Sequence, residues 1–115
     1  SRKLMIDRSQ MEQVLINLLK NAGEACMDQP NPEVVVETDY QAENHIFRLS
    51  VTDNGCGILP EVVDRIFIPF FTTKPTGSGI GLSLCKQIMA LHGGSIRVTS
   101  QEGKGSCFTL KWVVK

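Results

Sequence analysis

No apolar run in this chain approaches the roughly 20 residues of a membrane-spanning helix, so a span within it is excluded. Charge of one sign is also missing. The 12 basic and 12 acidic residues balance, which removes the field that would draw the chain to nucleic acid or to anionic lipid. The cysteines Cys26, Cys56, Cys85 and Cys107 form no Cys-x-x-Cys pair, so the close ligand spacing of a zinc site is absent. They read as reduced thiols of a cytoplasmic domain. His45 and His92 are the only histidines, and no Ser/His/Asp or Cys/His arrangement argues for a nucleophile. No signal-peptide pattern opens the chain, and no repeat, low-complexity tract or linker divides it. What remains is a single compact domain over residues 1–115, expected to be cut from a longer protein.

The hydrophobic pattern sets the elements. Met11, Val14, Leu15, Leu18, Leu19, Ala22 and Cys26 recur at helical spacing and predict a helix over Ser9–Asp28, capped by Asp7 or Ser9 and stopped by Pro30 and Pro32. Glu33–Tyr40 and Ile46–Thr52 read as a hairpin. In the second strand Phe47, Leu49 and Val51 alternate with Ile46, Arg48 and Ser50. A short helix from Pro60 to Ile66, an irregular stretch from Phe67 to Gly79 and a helix over Ile80–Leu91 follow, the last ended by His92-Gly93-Gly94. Ser95–Ser100 and Ser106–Val114 are strands around a turn. This order predicts an α+β fold, a two-layer sandwich with strand pairs on one layer and helices on the other. Trp112 is expected in the core or at an interface.

Several short blocks carry chemistry. Opposite the apolar face of the first helix, Gln13, Asn17, Lys20, Asn21 and Glu24 form a polar stripe. Asn is a poor helix-interior residue because its amide competes for backbone bonds. Two of them at i, i+4 read either as a solvated face or as neutral oxygen ligands suited to Mg²⁺. Asp53-Asn54-Gly55-Cys56-Gly57 ends a strand. It is a plain turn, or a carboxylate that accepts an exocyclic amine while the glycines admit a flat ligand. Gly77-Ser78-Gly79-Ile80-Gly81-Leu82 runs into a helix and reads as a helix cap or a phosphate cradle, without the P-loop pattern. Phe70 and Phe71 are expected to anchor the preceding loop by burial, with Lys74, or more weakly Arg65, reaching a phosphate. His45 is expected to be solvated, and His92 to meet terminal carbonyls of its helix.

In this order the blocks resemble the catalytic ATP-binding domain of bacterial sensor histidine kinases. That family lies within a wider group that includes a heat-shock chaperone, type II topoisomerases and mismatch-repair ATPases. Residues 13–22 resemble its N box, 53–58 its G1 box, 66–74 its F box, 77–82 its G2 box and 103–108 its terminal glycine motif. The resemblance implies the Bergerat fold, a mixed, mostly antiparallel sheet on about three helices. It implies ATP and Mg²⁺ as cofactors, with Asn21 as the metal ligand and Asn17, Asn21 and Lys74 as the catalytic set. The ATP-binding set it implies adds Lys20, Glu24, Asp53 on adenine, Gly55, Gly57 and Ile58. The lid Thr72, Thr73, Lys74, Gly77 and Ser78 follows, then Gly79, Ile80, Gly81 and Leu82 on the phosphates, and Ser106 near adenine through water.

Hydrolysing members of the wider group place a Glu where this chain has Asn17, which cannot act as a base, so the resemblance favours transfer to a side chain. Glu24-Ala25 and Phe70-Phe71-Thr72 depart from the Lys-Tyr and Phe-Tyr-Arg that many sensor kinases carry. The implied partner is a dimerising helical domain of the same protein that bears the phosphoacceptor histidine, which neither His45 nor His92 fits. A response-regulator receiver domain follows indirectly. The resemblance implies no nucleic acid and no membrane contact from this domain, any anchor lying elsewhere in the parent protein. The alternatives are an anti-sigma-factor-type serine kinase and a degenerate domain that binds nucleotide or a partner without catalysis.

Overall fold

The computed structural model describes residues 7–71 and 81–113. Helix α1 spans Arg8–Cys26. It starts where Asp7, in extended backbone, accepts the Gln10 N–H at 3.0 Å, which satisfies one donor that a helix start leaves without an internal partner. Of the two candidate caps, Asp7 takes the role. The helix buries Met11, Val14, Leu18, Ala22 and Cys26, a stripe at the period of 3.6. Leu19, expected on that face, is 43% exposed; it stands at the margin of the stripe, roughly 80° from its centre.

Strands β1 (Val34–Gln41) and β2 (Ile46–Asp53) form the expected hairpin. A short α2 (Pro60–Val63), then α3 (Gly81–Leu91), β3 (Ser95–Gln101) and β4 (Gly105–Val113) complete the order. The four strands make one sheet in the order β1-β2-β4-β3. Among the described residues every pairing in it is antiparallel, as the expected mostly antiparallel sheet requires.

Register stacks the helix-facing side of the sheet in rows. Phe47 pairs with Trp112, then Leu49 with Leu110 and Ile96, then Val51 with Phe108 and Val98. These rows pack against α1 and α3, with Leu18, Val14, Met89, Cys85, Val51 and Leu110 fully buried. Each large apolar side chain so buried stabilises the fold by about 1.5–3 kcal/mol over its exposed state. Trp112 lies in this core, its ring 5.8 Å from that of Phe47. The helices leave β1 largely uncovered, and Val36 is 49% exposed although it pairs with buried Val51.

His92 ties the two long helices together. Its Nε2 accepts the Asp7 N–H at 3.0 Å, and its Nδ1 lies 2.7 Å from the Ile88 carbonyl. Both contacts hold at once only when the hydrogen sits on Nδ1 and donates to that carbonyl.

Candidate functional site

The fourth row of the sheet breaks the apolar pattern. Asp53, Ser106 and Ser100 pair across β2, β4 and β3 on the same face as the core. Asp53 and Ser106 are both buried, at 5% and 6% exposure. A buried carboxylate is costly unless hydrogen-bonded. Here Oδ1 of Asp53 accepts the Gly55 N–H at 2.9 Å. A carboxylate carries lone pairs beyond the one so used, which suits it to accept from a ligand.

Two glycines make this corner possible. A β-carbon on Gly55 would overlap the Ala25 carbonyl, so only glycine lets the chain leave β2 hard against the last turn of α1. Gly105 has φ +127, and a β-carbon there would overlap the Asp53 carbonyl. Asn54 pins the corner from outside. Its amide nitrogen donates to the Asn31 carbonyl at 2.7 Å, and its Oδ1 accepts the Glu33 N–H at 2.9 Å. The Asp-Asn-Gly block is therefore both a turn and a buried carboxylate, two readings the sequence held apart.

Ser100 was not among the residues singled out from the sequence. Its hydroxyl accepts the Ile58 N–H at 2.7 Å, donates to the Gly105 carbonyl at 3.1 Å and meets the Ser106 hydroxyl at 2.9 Å. The signal was present, since strand alternation puts Ser100 on the side of Ile96 and Val98. A lone serine at a strand end is too common to notice without its partners. Ile58 packs against the core, and Gly57, at φ +75, completes the loop that carries it.

Asn17, on α1, is half-buried and faces the first residue of α3, for a β-carbon on Gly81 would lie 3.7 Å from its Oδ1. Behind it the buried Cys85 thiol donates to the Val14 carbonyl at 3.8 Å. Burial pushes this thiol up to about 11, opposed by hydrogen bonds from the Asn17 side chain and its own backbone. Asn21 is half-buried one turn further on, while Gln13, Lys20 and Glu24 are exposed. Leu82 packs against the core just inside α3. The structure thus brings together two groups of expected residues: Asn17 with Gly81, and Asp53 with Gly55 and Ser106.

One expectation is corrected. Phe70 does not anchor its loop: it is 74% exposed with φ 67. Phe71 is half-buried, and full burial falls instead on Ile66, next to half-buried Phe67, whose ring meets Phe108 edge-on at 6.4 Å with the Lys86 Nζ 5.7 Å from its centre. The backbone turns after Phe67, and that turns the next aromatic out. Arg65 is exposed. Thr72, Thr73, Lys74, Gly77, Ser78, Gly79 and Ile80 lie outside the described residues. All four cysteines are free, and among the described residues no cluster of three His, Cys, Asp or Glu side chains could hold a metal. A shallow depression at this end of the sheet is lined by Asp53, Ser100, Gly105 and Ser106 together with Thr52, Thr99, Gln101, Lys104 and Cys107.

Comparison with known proteins follows the same residues. Residues 6–115 match the family described as histidine kinase-, DNA gyrase B- and HSP90-like ATPases. The chain is 42% identical over 108 residues to the sensor histidine kinase ZraS of Escherichia coli K12, covering 94% of this chain and 22% of that protein. It therefore spans about a fifth of the length of that relative. The solved catalytic domain of histidine kinase ThkA superposes with a TM-score of 0.80 at 37% identity, over 94% of this chain and 68% of that one. Full-length ShkA, solved in complex with AMPPNP, gives 0.85 at 26% identity over 99% of this chain and 23% of its own. A two-layer sandwich with a buried Asp at the end of β2, an Asn of α1 against the glycine that opens α3, and a match over nearly every residue lead to one assignment: the chain belongs to the histidine kinase-, DNA gyrase B- and HSP90-like ATPase family.

Proposed function

We propose that this domain binds ATP with Mg²⁺ and gives the γ-phosphoryl group to a histidine on a separate helical domain of its parent protein. The carrying observation is the buried Asp53 carboxylate, fixed by Gly55 and lying beside Ser106 at the strand end, where the resemblance implies adenine. Asn17 and Gly81 supply the other end. The start of α3 offers N–H groups and a favourable dipole to phosphate, and Asn17 faces it across van der Waals distance.

Asn21 fits a Mg²⁺ ligand in donor chemistry and position. Its carboxamide oxygen is hard and neutral, and it sits half-buried on the same polar edge of α1, one turn beyond Asn17. When bound, the ion would neutralise charge on the phosphates. The chain's own part is then positioning. Asp53 holds the base, the opening of α3 holds phosphate, Asn17 lines the approach and Lys74 adds a cation. With an amide at position 17 the side chain cannot take a proton from water, which favours transfer over hydrolysis.

Calorimetric titration of ATP, with and without Mg²⁺, into the wild type and Asn21→Ala tests this reading. The expected result is binding in the micromolar to millimolar range, equivalent to roughly 4–8 kcal/mol, whose Mg²⁺ dependence disappears in Asn21→Ala. A folded wild type that binds no ATP would leave a domain that only docks a partner. Transfer itself is checked by mixing the domain with ATP and the helical phosphoacceptor domain of its parent, and looking for acid-labile, base-stable phosphate.

A further inference from the structure

The Ser100 hydroxyl has three neighbours and a single hydrogen. It takes the Ile58 N–H at 2.7 Å, lies 3.1 Å from the Gly105 carbonyl and 2.9 Å from the Ser106 hydroxyl. A hydroxyl donates once and accepts twice. Ile58 fills one lone pair. The Gly105 carbonyl can only accept, so it takes the Ser100 hydrogen. All three contacts are then satisfied in one arrangement: Ser106 must donate its own hydrogen into Ser100. Ser106 is left with lone pairs alone. Its register partner on the other side is Asp53, a carboxylate that also only accepts.

We infer that Ser100 is a positioning residue that makes the polar row at the sheet end an acceptor-only surface, and so selects a purine with an amino group at C6 over one with a carbonyl there. The inference rests on the nucleotide reading above and deepens it, naming what Ser100 contributes to the choice of base. A 6-amino group donates to such a row. A 6-oxo group meets only lone pairs, and a polar atom held against others of its own kind loses the hydrogen bonds it had in water. Ser100 itself stays behind Ser106 and touches no nucleotide. Its effect is exerted through the direction of one hydrogen.

The experiment compares ATP with inosine triphosphate, which carries oxygen in place of the C6 amino group. Both are titrated into the 115-residue chain as wild type, Ser100→Ala, Ser100→Thr, Ser106→Ala and the Ser100→Ala/Ser106→Ala double variant. In Ser100→Ala the Ser106 hydrogen is released and can turn to an oxo group. The ATP-to-inosine-triphosphate affinity ratio should then fall by roughly tenfold, the scale of one hydrogen bond gained or lost. Ser100→Thr, which keeps the hydroxyl, should restore the ratio. Adding Ser100→Ala to Ser106→Ala should leave the ratio where Ser106→Ala put it, since the hydrogen in question is gone. Equal weakening of both nucleotides in Ser100→Ala, with the ratio intact, would reduce Ser100 to a structural staple and overturn the inference while leaving the ATP site standing. A folded wild type that binds neither nucleotide would overturn the ATP reading and this inference with it. If Ser100→Ala does not fold, Ser106→Ala can still overturn the inference: an ATP-to-inosine-triphosphate ratio equal to wild type would show that the Ser106 lone pairs do not read the C6 group.

Discussion

The carboxamide of Asn17 lies against Gly81: a β-carbon placed on that glycine would stand 3.7 Å from both its Cγ and its Oδ1. The contact joins the polar edge of α1 to the opening of α3 without any covalent or ionic link. It is loose enough to accept a methyl group and close enough that the methyl would occupy the space between them.

Gly81→Ala therefore separates folding from binding. Gly81 opens a helix and sits outside the left-handed region, so alanine should hold or raise stability by about 0.4–1 kcal/mol. The same methyl fills the approach to the N–H groups at the helix start. Thermal melting should rise slightly while calorimetric ATP affinity falls at least about fivefold, a loss of roughly 1 kcal/mol. Unchanged affinity would show that phosphate does not sit at the opening of α3.

Gly55→Ala should behave oppositely. Its β-carbon would overlap the Ala25 carbonyl and crowd Oδ1 of Asp53 at 2.9 Å. Backbone does not yield cheaply, so the cost should be about 2–4 kcal/mol in urea unfolding. Gly23, where a β-carbon would meet nothing within 4 Å, is the control and should accept alanine with a gain of up to about 1 kcal/mol. Similar midpoints for the two variants would rule out the close passage of this loop against α1.

Asp53→Asn keeps an oxygen for the Gly55 N–H and should fold, its urea midpoint shifting by about 1 kcal/mol or less if the oxygen stays on that donor. It replaces a charged acceptor with a neutral one and introduces donors into an accepting row. ATP affinity should fall by roughly tenfold or more, the scale of a hydrogen bond to a charged group. Retained affinity in a folded variant would move the base away from Asp53.

Cys85 predicts an alkaline weakening. Burial pushes its thiol from 9.0 up to about 11 in the fold. Between those values the unfolded chain releases a proton that the folded chain keeps. The unfolded state is then favoured, and stability falls as pH rises from about 9 to about 11. Below pH 9 both states are protonated and the effect vanishes. Urea midpoints at pH 8 and pH 10.5 should converge more for Cys85→Ala than for wild type, although the variant is weaker at pH 8 through its cavity. An identical alkaline decline in both would show that Cys85 does not titrate in this window.

Much of the molecule was legible in the chain. Apart from α2, which stops at Val63 rather than Ile66, each element falls within about two residues of the span its periodicity predicts. Local pattern decides local structure: the stripe from Met11 to Cys26 and the alternation from Phe47 to Val51 need no distant partner to be read. The site was legible as blocks, through Asp53, the glycines and the two asparagines. Phe70 escapes such reading because burial at the end of a run depends on which way the backbone turns after Phe67: the Phe71 N–H closes a turn onto the Ile68 carbonyl, and Phe70 inside that turn is left exposed.

The elements, the two hairpins and the residue types that suit a nucleotide all follow from the order of residues along the chain. Spacing along the chain and the chemistry of single side chains are local properties. The pairing of β2 with β4 arises on folding, and with it the alignment of Asp53, Ser106 and Ser100 in one row. Folding also sets Asn17 against Gly81 and Gly55 against Ala25. These contacts join residues tens of positions apart, and their cost in chain entropy is offset only when the whole apolar face of α1, α3 and the sheet closes together.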